Sequence, residues 1–329
     1  MNLGQLGEFG LIGRIAGRVP TADRVLLGIG DDTAATIPEP GTVTLSTSDM
    51  LVEGIHFDLA YSDPYTLGRK SLAVNLSDVA AMGGVPRTFL LSLAIPPTLP
   101  VEFVDMFTTG LLEQAARFGV VLIGGDTCAS PTGLVISITL LGEQVPERLA
   151  RRQGACPGDL VCVTGTLGDA AVGLAQLRQG IRSGAAVARH LDPEPRVAGG
   201  IALAMAGLPT AMIDISDGLA ADLGHILYQS GVGARLELAS LPLSPAYRQA
   251  VADHEAPLLP ALTGGEDYEL LFTLPSARRH ELAGVADQAG VPCTVIGEII
   301  AAEGLSLIAP DGSDYQLPTA GYDHFPSPR

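Results

Sequence analysis

Carboxylates recur along this chain just after apolar runs and glycine turns, and that pattern constrains its fold and chemistry more tightly than anything else in it. Leu27-Gly28-Ile29-Gly30 leads into Asp31-Asp32, and Val121-Leu122-Ile123-Gly124-Gly125 leads into Asp126. Ile213-Asp214-Ile215-Ser216-Asp217-Gly218 carries two aspartates, and Gly264-Gly265 precedes Glu266-Asp267. Asp49 closes the strand-like Leu45-Ser46-Thr47-Ser48, and Asp78 interrupts the otherwise apolar run from Leu72 to Ala81. A carboxylate buried alone is costly and needs a metal, an arginine or backbone N–H donors. Open α/β sheets place ligands at strand ends, and glycine lets the backbone approach a phosphate or metal closely.

Taken singly, most of these residues read as helix caps or turn formers. Asp78 does not, because aspartate is a poor residue for a helix interior. It shares a helix face with Asn75, three residues earlier. The set as a whole reads as a divalent-cation cluster in a chain whose only lysine is Lys70. The donors are oxygens of Asp, Glu, Ser, Thr and Asn. No His–His or Cys–His spacing fits zinc, and the calcium-loop pattern is absent. Hard oxygen donors select Mg²⁺ or Mn²⁺. Magnesium held by carboxylates usually comes with substrate phosphates, so a nucleotide is the expected partner. Gly68-Arg69-Lys70-Ser71 lacks the glycine that a P-loop needs before its lysine, and no protein-kinase signature appears.

Composition narrows the class. A chain of 329 residues with 47% hydrophobic residues and net charge −17 is globular and too long for one ordinary core. Such an acidic chain is expected to bind neither nucleic acid nor anionic membrane. No apolar stretch is long enough to cross a bilayer, and the N-terminus lacks a signal-peptide layout, so a cytoplasmic location is expected. Cys128, Cys156, Cys162 and Cys293 are scattered and read as reduced, mostly buried thiols.

Strand-like and helix-like segments alternate. Strands are expected over 43–46, 90–95, 120–123, 134–141, 160–163, 234–238, 269–274 and 294–300. Helices are expected over 63–82, where Asp63 caps and Pro64 opens, and over 101–118, 169–177, 219–229 and 277–289. A stretch rich in Arg, Gly and Pro near 143–157 marks the boundary of two domains, 1–148 and 149–329. The fold class is α/β (α+β).

The ordered motifs Gly28–Asp32, Ser48–Phe57, Asn75–Gly83, Gly124–Thr127, Asp214–Leu219, Gly264–Leu270 and Gly321–Phe325 closely resemble the thiamine-monophosphate kinase family, over nearly the whole chain. The Asp-rich and Gly-Gly-Asp elements mark the wider aminoimidazole-ribonucleotide synthetase superfamily, and the segments around His56, Glu266 and Tyr322 narrow it. The resemblance implies an N-terminal ATP- and magnesium-binding domain that pairs with its copy in a barrel-like homodimer, beside a C-terminal α/β domain contributing to ATP and substrate binding. It implies phosphorylation of thiamine monophosphate by ATP. It assigns Asp32, Thr47, Ser48, Asp49, Asp78, Asp126, Asp214 and Asp217 to several magnesium ions, with Asp49, Asp78 and Asp126 as the clamp and no general base. It assigns Gly125, Asp126, Arg152 and Ser216 to ATP, and His56, Glu266 and Tyr322 to the thiamine side. Two other readings are another superfamily enzyme with a different phosphorylated substrate, and a non-catalytic acidic cation-binding protein.

Overall fold

The computed structural model describes residues 6–252, 256–318 and 321. They form two compact units, Met1–Val79 with Gly84–Pro146, and Ala80–Gly83 with Glu147–Arg329.

The first unit runs α1 (Glu8–Ala16), β1 (Val25–Leu27), β2 (Ala35–Thr36), β3 (Val43–Val52), α2 (Pro64–Ala81), β4 (Val85–Ile95), α3 (Val101–Phe118), β5 (Val121–Ala129) and β6 (Val135–Gln144). Strands β3, β6, β4 and β5 make one sheet in that order. Only the β4–β5 pair is parallel, as the crossover through α3 requires. Alternation gives this sheet one apolar face, with Phe89, Leu91, Leu93, Ile136, Ile138 and Leu140 buried. The Asp63 carboxylate accepts the Tyr65 and Thr66 N–H groups, each at 3.0 Å, and Pro64 needs no such bond, so α2 starts where its sequence says. The helix stops before Gly83, whose φ of 70° lies in the left-handed region.

The second unit runs β7 (Asp159–Thr164), α4 (Asp169–Arg178), α5 (Ala185–Leu191), α6 (Val197–Ala206), β8 (Ala211–Asp214), α7 (Leu219–Ser230), β9 (Gly233–Glu237), α8 (Pro245–Ala250), α9 (Leu259–Thr263), β10 (Leu270–Pro275), α10 (Leu282–Ala289), β11 (Cys293–Ile300) and β12 (Gly304–Ile308). Its sheet has the order β12-β9-β11-β7-β10-β8. Strands β7, β8 and β10 are continuous apolar runs because they are buried on both faces.

Several expectations need correction. The segment expected as a helix over 277–289 begins as 3₁₀ turns at Ser276–Glu281 and becomes α-helical only at Leu282. Asp49 and Asp126 do not follow strands but lie inside β3 and β5, because pairing with β6 and β4 carries both strands past the expected turns. Of the four free thiols, Cys128 and Cys156 are exposed; Cys128 sits on edge strand β5 and Cys156 precedes β7. Among the described residues no helix is long and apolar enough to cross a membrane.

Candidate active site

The first unit gathers its donors where α2 lies beside β3. Thr47 and Asp49 are two apart on β3 and share one face of the strand. The Thr47 hydroxyl donates a short hydrogen bond to the Asp78 carboxylate of α2. The Asp49 N–H donates to Asn75 Oδ1 at 3.2 Å. Asn75 and Asp78 thus use their common helix face to meet β3. Asp49 Oδ2 is buried without a hydrogen-bond partner. Burial first, and then the neighbouring Asp78 charge, push the Asp49 carboxyl up to about 7. Two carboxylates side by side, one with an orphaned oxygen, form a site that a cation would complete.

Ser48 does not join this group. Strand alternation turns its hydroxyl to the other face, where it meets Thr139 Oγ1 at 3.1 Å.

Asp126 lies on β5, at the far edge of the sheet from β3. The register runs Asp49 to Ile138, Ile138 to Leu91, and Leu91 to Gly125. Three inter-strand steps separate the two aspartates, roughly 14 Å of backbone. One ion therefore cannot take both as ligands within this sheet. Gly125 has a φ of 153°, and a Cβ there would stand 1.8 Å from Leu91 O, so only glycine lets β5 lie this close to β4. Asp126 Oδ1 accepts the Thr127 N–H at 2.9 Å. Residues Gly124–Thr127 line a small cavity of about 90 Å³ with Ile29, Ile12 and Ile15, so the turn leading to exposed Asp32 closes on this strand. His56 sits in the turn after β3, where its Nδ1 accepts the Val52 N–H at 3.0 Å. A backbone N–H can only donate, so the proton of the neutral ring is on Nε2.

In the second unit two loops distant in sequence are joined. Glu266 N–H donates to Ser216 O, and Tyr268 N–H donates to Ile215 O, both at 2.8 Å. A Cβ on Gly265 would lie 2.4 Å from Ser216 O, which is why the loops approach only through glycine. Buried Asp214 ends β8, and half-buried Ser216 and Asp217 follow it. Asp222 on α7 shapes this turn: its Oδ2 accepts the N–H groups of Ser216, Asp217 and Gly218, each at 3.1 Å. Burial, and then the Asp217 charge, push the Asp222 carboxyl up to about 7, against those three donors.

The stretch from Glu266 to Glu269 is pinned at every residue. Glu266 and Tyr268 have φ of 70° and 51°, which side-chain-bearing residues rarely adopt. Asp267 accepts Gly168 N–H at 2.7 Å and Ala170 N–H at 3.4 Å at the start of α4; burial pushes its carboxyl up to about 8 against those donors. Glu269, fully buried, is bound by Arg189, Arg196 and Thr164 Oγ1. Strained backbone held this firmly is a mark of a preorganised site. Arg152 is exposed on the strip whose Arg151 C=O accepts the Met212 N–H of β8 at 2.7 Å. Tyr322 lies outside the described residues.

The sequence reading passed over Asp222, Arg189, His190 and Arg196. Asp222 carries the same signal as Asp78, an acid inside an apolar helical run. The other three have no local signal, because their partners lie about 70 to 80 residues away.

Two family descriptions match these two halves: AIR synthase related protein, N-terminal domain, over residues 30–144, and its C-terminal domain over residues 156–310. The chain is 44% identical to thiamine-monophosphate kinase of Escherichia coli (strain K12), over 98% of this chain and 99% of that one. The chain belongs to the thiamine-monophosphate kinase family. Its structure is similar to that of thiamine-monophosphate kinase from Stenotrophomonas maltophilia K279a, with TM-score 0.84 and 38% identity over 96% of this chain and 99% of that one. It is also similar to AaThiL complexed with AMPPCP and TMP, with TM-score 0.76 and 34% identity over 99% of each chain.

Proposed function

We propose that this chain transfers the γ-phosphoryl group of ATP to the phosphate of thiamine monophosphate, giving thiamine diphosphate and ADP. Family membership over nearly the whole chain carries the reading, and a relative solved with AMPPCP, an ATP analogue, together with TMP supports it.

The donor set fits magnesium. Among the described residues no three Asp, Glu, His or Cys side chains converge on one point. Each ion would therefore have one or two carboxylates, with hydroxyl, phosphate and water oxygens filling the rest, which is how Mg²⁺ is usually held. Asp49, Asp78 and the Thr47 hydroxyl would hold one ion. Asp32 and Asp126, and Asp214 with Asp217, would hold others. Bound magnesium supplies neutralisation of the phosphates and a template for in-line transfer.

The chain's own residues bind and orient. Gly125 lets β5 pack close against β4 and so sets the position of Asp126 beside it, Arg152 offers a guanidinium, and Ser216 lies on the loop joined to Glu266. The Glu266 carboxylate suits the cationic thiazolium, and His56 and Tyr322 belong to the same thiamine side. The acceptor phosphate has a second pKa of about 6 and is dianionic at neutral pH, so it needs no general base. A cytoplasmic setting, with ATP at hand, fits this chemistry.

Purified protein with ATP, thiamine monophosphate and Mg²⁺ is expected to form thiamine diphosphate, followed by phosphorus NMR, and to form none with EDTA. Folded protein that binds ATP yet makes no diphosphate would sink the assignment in favour of another phosphorylated acceptor.

We also propose a homodimer through the first unit. One face of its sheet is open, with Ser46, Ser48 and Met50 exposed, and Leu26, Ile37 and Ile55 add exposed apolar surface. Light scattering is expected to give the mass of two chains; a single-chain mass at micromolar concentration overturns this.

A further inference from the structure

A buried histidine stands within ion-pair distance of Glu266 on its inner side, although its Nδ1 does not meet hydrogen-bond geometry there. His190 on α5 is 2% exposed, and its Nδ1 stands 3.1 Å from Glu266 Oε2, while the Glu266 side chain keeps 24% of its surface open. The neighbouring Arg189 binds Glu269 through Nη2 at 2.7 Å. Two consecutive residues of α5 thus stand against two carboxylates three residues apart on the pinned 266–269 segment, Arg189 by a hydrogen bond and His190 at ion-pair distance. The backbone of Glu266 is fixed by Ser216, but that bond leaves the glutamate side-chain torsions undecided. A free glutamate side chain loses rotamer entropy when it is ordered. Contact with His190 settles that choice before any ligand arrives, because the imidazole is itself packed and cannot follow a wandering carboxylate.

We propose that His190 is a positioning residue for the phosphorylated acceptor: it holds the Glu266 carboxylate turned toward the cationic ring, acts only through Glu266, and does not touch substrate. This rests on the reading that Glu266 faces the thiamine side. An interaction formed equally with ground state and transition state shows in KM and not in kcat.

His190→Leu is expected to raise KM for thiamine monophosphate about tenfold, with kcat and KM for ATP within about twofold of the parent. His190→Asn, whose amide N–H lies near the place of Nδ1, is expected to recover most of the loss. In the double variant with Glu266→Gln, removing His190 is expected to add nothing to the effect of Glu266→Gln alone. Independent, additive effects would mean that His190 acts elsewhere and would overturn the proposal. An unchanged KM in His190→Leu beside a raised KM in Glu266→Gln would also overturn it, leaving the Glu266 assignment standing. An unchanged KM in Glu266→Gln would remove both. If His190→Leu does not fold, His190→Gln takes its place in the same cycle. Its amide stands a carbon further out and is expected to raise KM more than His190→Asn does; equal KM values for Asn, Gln and parent overturn the proposal.

Discussion

Asp49→Asn is expected to abolish phosphoryl transfer while making the metal-free protein more stable. The two effects have one cause. The Asp49 carboxylate is half-buried beside Asp78, with Oδ2 lacking a partner, so its charge is unfavourable until a cation arrives. Asparagine removes that charge and can donate an N–H toward Asp78. Turnover is expected to fall by about a thousandfold or more, since each factor of ten corresponds to about 1.4 kcal/mol and an anionic magnesium ligand is worth several such steps. The stability gain is expected to be roughly 2 kcal/mol at pH 8. The sign follows from the raised carboxyl. Its folded value, about 7, lies above the ordinary aspartate value. The penalty is therefore absent below about pH 4, grows between about 4 and 7, and is complete above that. Thermal melts of both proteins in EDTA at pH 8 and pH 4, with product formation at pH 8, check this. A melting temperature that falls at pH 8 would mean that Asp49 is satisfied in the apo protein and is no vacant ligand.

Asp222→Ala is expected to cost both stability and activity. It strands the N–H groups of Ser216, Asp217 and Gly218, which all donate to one carboxylate oxygen. Each buried donor left unpaired costs about 1–3 kcal/mol, and water reaching the half-buried turn offsets part of this, so a loss of roughly 3 kcal/mol is expected. Asp217 and Ser216 lose their fixed geometry with the turn, and turnover is expected to drop at least tenfold. Asp222→Asn keeps an acceptor oxygen and drops a charge that burial and Asp217 disfavour, so it is expected to match or exceed the parent in stability above pH 7. Denaturant melts and single-turnover rates separate the two variants. Equal behaviour of Ala and Asn would show that the turn is held by something other than this carboxylate.

Much of this protein is written locally. The Asp63-Pro64 start of α2, its glycine stop, and the apolar runs that become β7 and β10 depend on neighbours a few residues away, and the sequence determines them alone. So does the presence of a chemistry of carboxylates, since an acid such as Asp78 inside an apolar helix has no local reason to be there. Helices α5 and α6 escaped that reading because the first is only seven residues long, and the second is apolar along its whole length and so carries no amphipathic period.

Which oxygen meets which partner was decided only by the tertiary structure. Pairing of β3 with β6 over Val43–Val52 keeps Asp49 in mid-strand, and the period of two then turns Thr47 toward Asp78 and Ser48 away from it. The sheet order sets Asp126 three strands from Asp49. The joining of Ser216 to Glu266, and of Glu266 to His190, depends on contacts across 50 and 76 residues of chain. A local pattern records what one segment wants to bury; it holds no information about which distant segment will be brought against it, and the site depends on that second choice.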